Sequence, residues 1–170
     1  ALFSAQAVDA PESLYRWQWQ LGRQLAATGQ LDQAIASYRQ AAVTLQPIRV
    51  ELAQASVEDP TVGQDTVKPL FFELADLLLQ RASLTEDGNA AEGYLLSARD
   101  AIEAYKTAEL RDYFKDDCVD AVRSRLTTFD RLSPDTAVIY PIMFSSRLEL
   151  LMSLPSGLKR ISVPVTAERL

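Results

Sequence analysis

The chain has 170 residues, 48% hydrophobic and 24% charged, which suits one folded domain or a short repeat array and excludes a wholly disordered chain. Its 17 basic and 23 acidic residues give a formal net charge of -6, against the basic stripe that nonspecific nucleic-acid binding needs. With no histidine and one cysteine, Cys118, it has no internal disulfide, multi-thiolate zinc site, histidine-ligated metal, or Cys-His or Ser-His pair.

The single cysteine points to a reducing, cytoplasmic setting. Apolar runs such as Leu77 to Leu79 and Ala137 to Phe144 are far too short to span a bilayer, and no basic segment leads into an apolar one as in a signal peptide. A start at Ala1 rather than Met is expected of a processed product or an excised fragment. The acidic excess is local: residues 58–107 carry 4 basic and 10 acidic groups, whereas residues 1–57 carry 4 of each.

From Leu14 to Phe114 the apolar residues recur at helical spacing, and from Ala137 onward they fall in short β-rich runs. A first helix starts near Pro11 to Ser13 and stops before Gly29, with Leu14, Trp17, Leu21 and Leu25 on its apolar face. A second starts at Asp32 as N-cap. Its core face is Ile35, Tyr38, Ala42 and Leu45, with Ala34 and Ala41 as small residues for close approach. It is expected to kink at Pro47 and continue to about Ala55. Val57 to Asp65, with Pro60 and Gly63, reads as a loop.

A third helix is expected over Thr66 to Ala82, with Leu70, Leu74, Leu77 and Leu78 inward and Pro69 in its first turn. After an acidic loop at Thr85 to Asn89, a fourth runs from Ala90 to Lys106 with Leu95, Ala98, Ile102 and Tyr105 on one side. Leu110, Tyr113 and Phe114 extend the pattern, either in line with the fourth helix or as a separate short helix. Residues 119–135 have no definite period. Three strands then follow: Ala137 to Phe144, Arg147 to Leu154 and Leu158 to Val165, joined at Ser145-Ser146 and Pro155-Ser156-Gly157. Pro141 and Pro164 imply edge positions. The expected class is therefore mainly α, helical hairpins followed by a small C-terminal β element, divided as 12–118 helical, 119–135 connecting and 136–166 β. Three short strands need a cover on one face.

The first helix pair carries Leu21-Gly22, Gly29, Ala34, Tyr38 and Ala41 at a spacing that resembles the tetratricopeptide repeat. Gly22 and Ala34 permit close backbone approach, Tyr38 fills the gap, and Ala41 leaves room for the next helix. Two positions depart: Gln18 stands where the repeat expects tryptophan, between Trp17 and Trp19, and Pro47 falls one residue late. The second pair is more degenerate, echoing the repeat at Leu74-Ala75, Ala98, Ile102 and Tyr105.

The succession Arg16-Trp17-Gln18-Trp19-Gln20-Leu21-Gly22, then Ala108 to Phe114, then Ala137 to Ile142 and Arg147 to Leu151 resembles the segment joining tetratricopeptide repeats to a CHAT domain in bacterial, especially cyanobacterial, proteins. CHAT domains are caspase-like. The resemblance covers about residues 14–165 and implies that the strands open a CHAT fold. It brings no catalytic residue: the chain has no His, and Cys118 precedes the strands beside Asp117 and Val119, unlike the caspase signature. The implied role is a noncatalytic scaffold or regulatory segment, without cofactor or metal.

In such repeats the first helix of each pair lines the concave surface. By that register Arg16, Trp19, Arg23 and Ala27 face a groove, with Phe72, Asp76 and Leu79 opposite. Two arginines flanking a tryptophan suit a protein or peptide partner bearing carboxylates. The competing reading is that Trp19 packs against a neighbouring helix. Cys118 reads as inert, because Asp116, Asp117 and Asp120 disfavour its thiolate. Asp112, Asp116 and Asp120 read as a solvated face rather than a calcium site. A second expectation is a homo-oligomer formed through the repeat ends or an open β edge.

Overall fold

A computed structural model describes residues 11–49, 67–114, 137–154 and 157–165. Along these the order is α1 (Pro11–Ala27), α2 (Leu31–Leu45), a 3-10 turn (Gln46–Ile48), α3 (Lys68–Ser83), α4 (Gly88–Phe114), β1 (Val138–Met143), β2 (Arg147–Leu154) and β3 (Gly157–Pro164). The protein is mainly helical with a small antiparallel sheet, β1-β2-β3, at its C-terminal end. The chain forms two compact units, 1–81 and 82–170. This differs from the expected division at 118: α4 groups with the strands, because Glu92 and Arg99 reach them.

In the first unit, Pro11 opens α1 where its missing N–H is no loss. At the other end Gly29 adopts φ +76, and the amides of Gly29 and Gln30 bond back to Ala26 and Leu25 at 3.0 and 2.9 Å, closing the helix with the left-handed residue only glycine takes readily. The buried stripe of α1 is Tyr15, Gln18 and Gly22, at i, i+3 and i+7. The expected face was wrong by about one position: Trp17 and Leu21 are exposed. Gly22 sets the rotation. A Cβ placed there would lie 2.5 Å from Tyr38 Cδ2, so α1 turns its smallest residue toward the tyrosine ring of α2.

On α2 the buried set is Ala34, Ile35, Tyr38, Ala41 and Leu45, close to expectation, with Ala42 half-buried. Asp32 is not the N-cap. Gln30 holds that place without a side-chain bond, and the Asp32 carboxylate accepts from Arg81 Nε of α3 at 2.7 Å instead. Pro47 lies in the 3-10 turn that follows α2; residues 50–66, including the expected continuation to Ala55 and the loop at 57–65, lie outside the described residues. Helix α3 has Pro69 in its first turn and buries Leu70, Phe71, Leu74, Ala75, Leu77, Leu78 and Leu79, so it is enclosed on most sides.

In the second unit α4 is one continuous helix of 27 residues rather than two. No proline or glycine falls after Gly93 to interrupt it. Leu95, Ala98, Ala101 and Ile102 are buried, while Tyr105 is half-buried and donates to Glu109 at 2.8 Å. The strands match their expected bounds to within a residue or two. Tyr140 pairs with Leu151, and Leu151 with Arg160, so Tyr140, Ile142, Glu149, Leu151, Arg160 and Ser162 share one face. Ile142, Glu149 and Leu151 are buried there, and α4 reaches that face through Arg99, 5.7 Å from the Tyr140 ring centre.

The hydrogen-bond phase of the hairpins sets the character of both edges. Phe144 N–H bonds to Arg147 C=O at 2.9 Å, and Val165 N–H to Ser146 C=O at 3.2 Å. Antiparallel alternation then turns the backbone of residues 139, 141 and 143 outward on β1, and of 158, 160, 162 and 164 outward on β3. Pro141 and Pro164 occupy outward positions, where a proline removes an N–H from the edge without breaking the ladder. The outward Leu158 amide donates to Glu92 Oε1 of α4 at 2.9 Å. Both edges are thus blunted against strand addition, which opposes the expected pairing through an open β edge.

Candidate functional site

Trp19 and Arg23 are one helical turn apart on α1 and share a face by spacing alone. The Arg23 guanidinium stacks 4.2 Å from the Trp19 ring centre. Opposite them, α3 presents Glu73, which sequence reasoning did not single out. Its Oε2 accepts from Trp19 Nε1 at 2.8 Å, Arg23 Nε at 2.9 Å and Tyr38 Oη at 2.6 Å. Its Oε1 accepts from Arg23 Nη2 at 2.6 Å. Four hydrogen bonds from two helices therefore converge on one carboxylate, with Arg23 presenting its fork to both oxygens.

The electrostatics follow from that geometry. Burial pushes the Glu73 carboxyl up, but the bonds from Arg23, Tyr38 and Trp19 and the Arg23 charge outweigh it, leaving its pKa below the ordinary value. The Tyr38 phenol is pushed up, first by burial and then by its bond to Glu73. Arg23 is raised, chiefly by its bond to Glu73. The cluster is not sealed: the Arg23 and Glu73 side chains are 42% and 33% exposed.

The other expected groove residues are placed unevenly. Arg16 is exposed, its Nε donating to Tyr15 Oη at 3.2 Å, and Ala27 is exposed at the end of α1. Phe72 and Asp76 are half-buried on α3, with Lys68 Nζ 5.4 Å from the Phe72 ring centre. Leu79 lines no open groove. It is fully buried with the rest of the apolar surface of α3. Trp19 and Arg23 engage Glu73 of the same chain, which agrees with the competing reading that Trp19 packs against a neighbouring helix. The sequence marks Glu73 only as one of two acids in a helix otherwise rich in leucine, and its spacing names none of its donors.

A second polar centre lies under the sheet. Glu149 is fully buried; Oε1 accepts from Arg147 Nε at 2.6 Å, Arg160 Nη2 at 2.7 Å and Ser162 Oγ at 3.0 Å, and Oε2 from Arg160 Nε at 2.8 Å. Arg160 Nη1 also donates to Ser83 Oγ at 2.6 Å. Burial raises the Glu149 carboxyl, and the bonds from Arg160 and Arg147 reverse that to a net lowering. Arginine and ionised carboxylate held this way are a pinned ion pair rather than an acid or base ready to move a proton.

Gln18 is the odd polar residue of α1. It is buried, and its Oε1 has no hydrogen-bond partner, while its backbone carbonyl accepts from Ser37 Oγ at 2.7 Å. Among the described residues no three His, Cys, Asp or Glu side chains gather as a metal ion would need, and no helix is long and apolar enough to cross a membrane. Cys118, Asp116 and Asp120 lie outside the described residues, as does the Asp112 side chain. Set against models of known families, curated proteins and solved structures, the chain matches none.

Proposed function

We propose that the chain is a noncatalytic protein-interaction module that receives a carboxylate-bearing peptide along α1, at the seam with α3. The observation that carries this reading is the convergence of Trp19, Arg23 and Tyr38 on one partly open carboxylate. In the unliganded chain Glu73 fills that place, and a partner acid takes over the exposed fork of Arg23. Arg16, one to two turns toward the helix start, adds a second positive charge to the approach. The close nesting of Gly22 on Tyr38, with Ala34 and Ala41 fully buried, supports a helical hairpin of tetratricopeptide type. The proposed context is the cytoplasmic regulatory arm of a CHAT-type protease, as the resemblance implies.

The test is selection of random twelve-residue peptides on the immobilised chain, followed by titration of the enriched ones. Acidic peptides should emerge. Arg23→Lys keeps the charge and removes the fork, so it should weaken them about tenfold. Glu73→Gln removes the internal competitor and should tighten them. Enrichment without acidic character, or binding indifferent to Arg23→Lys, would overturn the reading.

A further inference from the structure

The sheet has a second face. Opposite the side that carries Glu149 and Leu151, it presents Ile139 and Met143 from β1, Leu150 and Met152 from β2, and Ile161 and Val163 from β3. Four of these are well exposed: Ile139 57%, Met143 53%, Ile161 45% and Val163 37%. Lys159 is the face's one charge, at a corner beside Met152. Strand alternation sends apolar residues to both faces of this sheet, and α4 meets the first through Arg99 and Tyr140.

We propose that this face is an isologous interface, on which a second copy of the chain packs sheet against sheet. Three observations select a second copy. The edges are blunted by Pro141, Pro164 and the Glu92 bond to Leu158, so association through the sheet has to use its face. The face carries no opposed charges to demand a complementary partner, and Lys159 at the corner can extend its ammonium to water when the face is covered. The area also fits. The exposed fractions of these side chains, with their half-buried neighbours, amount to roughly 500 Å² per copy, at the upper end of what a monomer carries. Two copies would bury about 1,000 Å², the lower bound of a specific interface. Sheets stacked about 10 Å apart, with strands within about 30° of one another, would interleave these side chains. Met143 and Met152 adapt readily to such a fit.

The experiment is sedimentation velocity on the 170-residue chain from low micromolar to a few hundred micromolar. A reversible dimer is expected, with dissociation in the micromolar range. Ile139→Asp with Ile161→Asp should leave a monomer throughout, and Met143→Lys, a milder change at an exposed position, should weaken the dimer at least tenfold while the circular dichroism melt stays in place. Trp17→Glu, on α1, should leave association unchanged. A monomer at every concentration overturns the proposal, as does a dimer that survives Met143→Lys or dissociates with Trp17→Glu.

Discussion

Glu73 and Glu149 are the same solution at two depths. Each carboxylate collects an arginine fork and further donors, and each has its pKa drawn below the ordinary value against the opposing effect of burial. They differ in access to water: Glu73 is one-third exposed and Glu149 not at all. Water can substitute for a lost partner at the first and not at the second. The shallow cluster leaves Arg23 open to exchange of partners, as the proposed recognition of a peptide acid requires. The deep one can only hold the sheet together.

The largest expected effect tests that contrast directly. Arg160→Ala removes two bonds to a sealed carboxylate and should destabilise the second unit by about 3 kcal/mol. Arg23→Ala, at the open cluster, should destabilise the first unit by about 1 kcal/mol. Equal losses in urea unfolding would show that depth is not what separates the two sites.

Gly22→Ala should fall between them, at about 2 kcal/mol. Its methyl group would enter the Tyr38 ring, and Tyr38 is held in place by Glu73. Adding Tyr38→Leu should recover part of that loss, which a thermal melt of the double variant would read.

Acid titration sharpens the comparison. Both carboxylates have folded pKa values below their unfolded ones, so their stabilisation is present above the ordinary carboxylate range and is lost as pH falls through the lowered values. Stability should therefore drop below about pH 4, and Glu149→Gln should flatten that slope more than Glu73→Gln. Tyr38 runs the other way. The stability tied to its protonated, Glu73-bonded form is fully present at neutral pH and is lost as pH rises past the ordinary tyrosine value of about 10 toward the raised one. The smallest expected effect is Val43→Thr, within about 0.5 kcal/mol, because Val43 is 66% exposed on α2.

Much of the fold was legible because local chemistry decided it. Pro11, Gly29 and the two prolines of the strands each have one natural place, and the structure puts them there. The rotation of α1 was not legible from hydrophobicity, since Trp17 and Leu21 outrank Gln18 and Gly22 on any apolar scale. It follows from a steric fit between Gly22 and Tyr38, a contact the repeat resemblance contained but the apolar count ignored. The two carboxylate centres were missed for a related reason. Partners such as Glu73 with Arg23 and Glu149 with Arg160 lie far apart in sequence or on adjacent strands, and spacing along one element cannot reveal them.

The strand order, which follows chain order, has a consequence for how the second unit folds. Each hairpin closes over a few residues, so the meander can form within microseconds, as short hairpins do. The bond from Leu158 to Glu92 spans 66 residues and must wait for a much larger loop to close. The meander is therefore expected to order before α4 docks on it, and a folding transition state probed by substitution should show early order at Tyr140 and Leu151 and late order at Glu92.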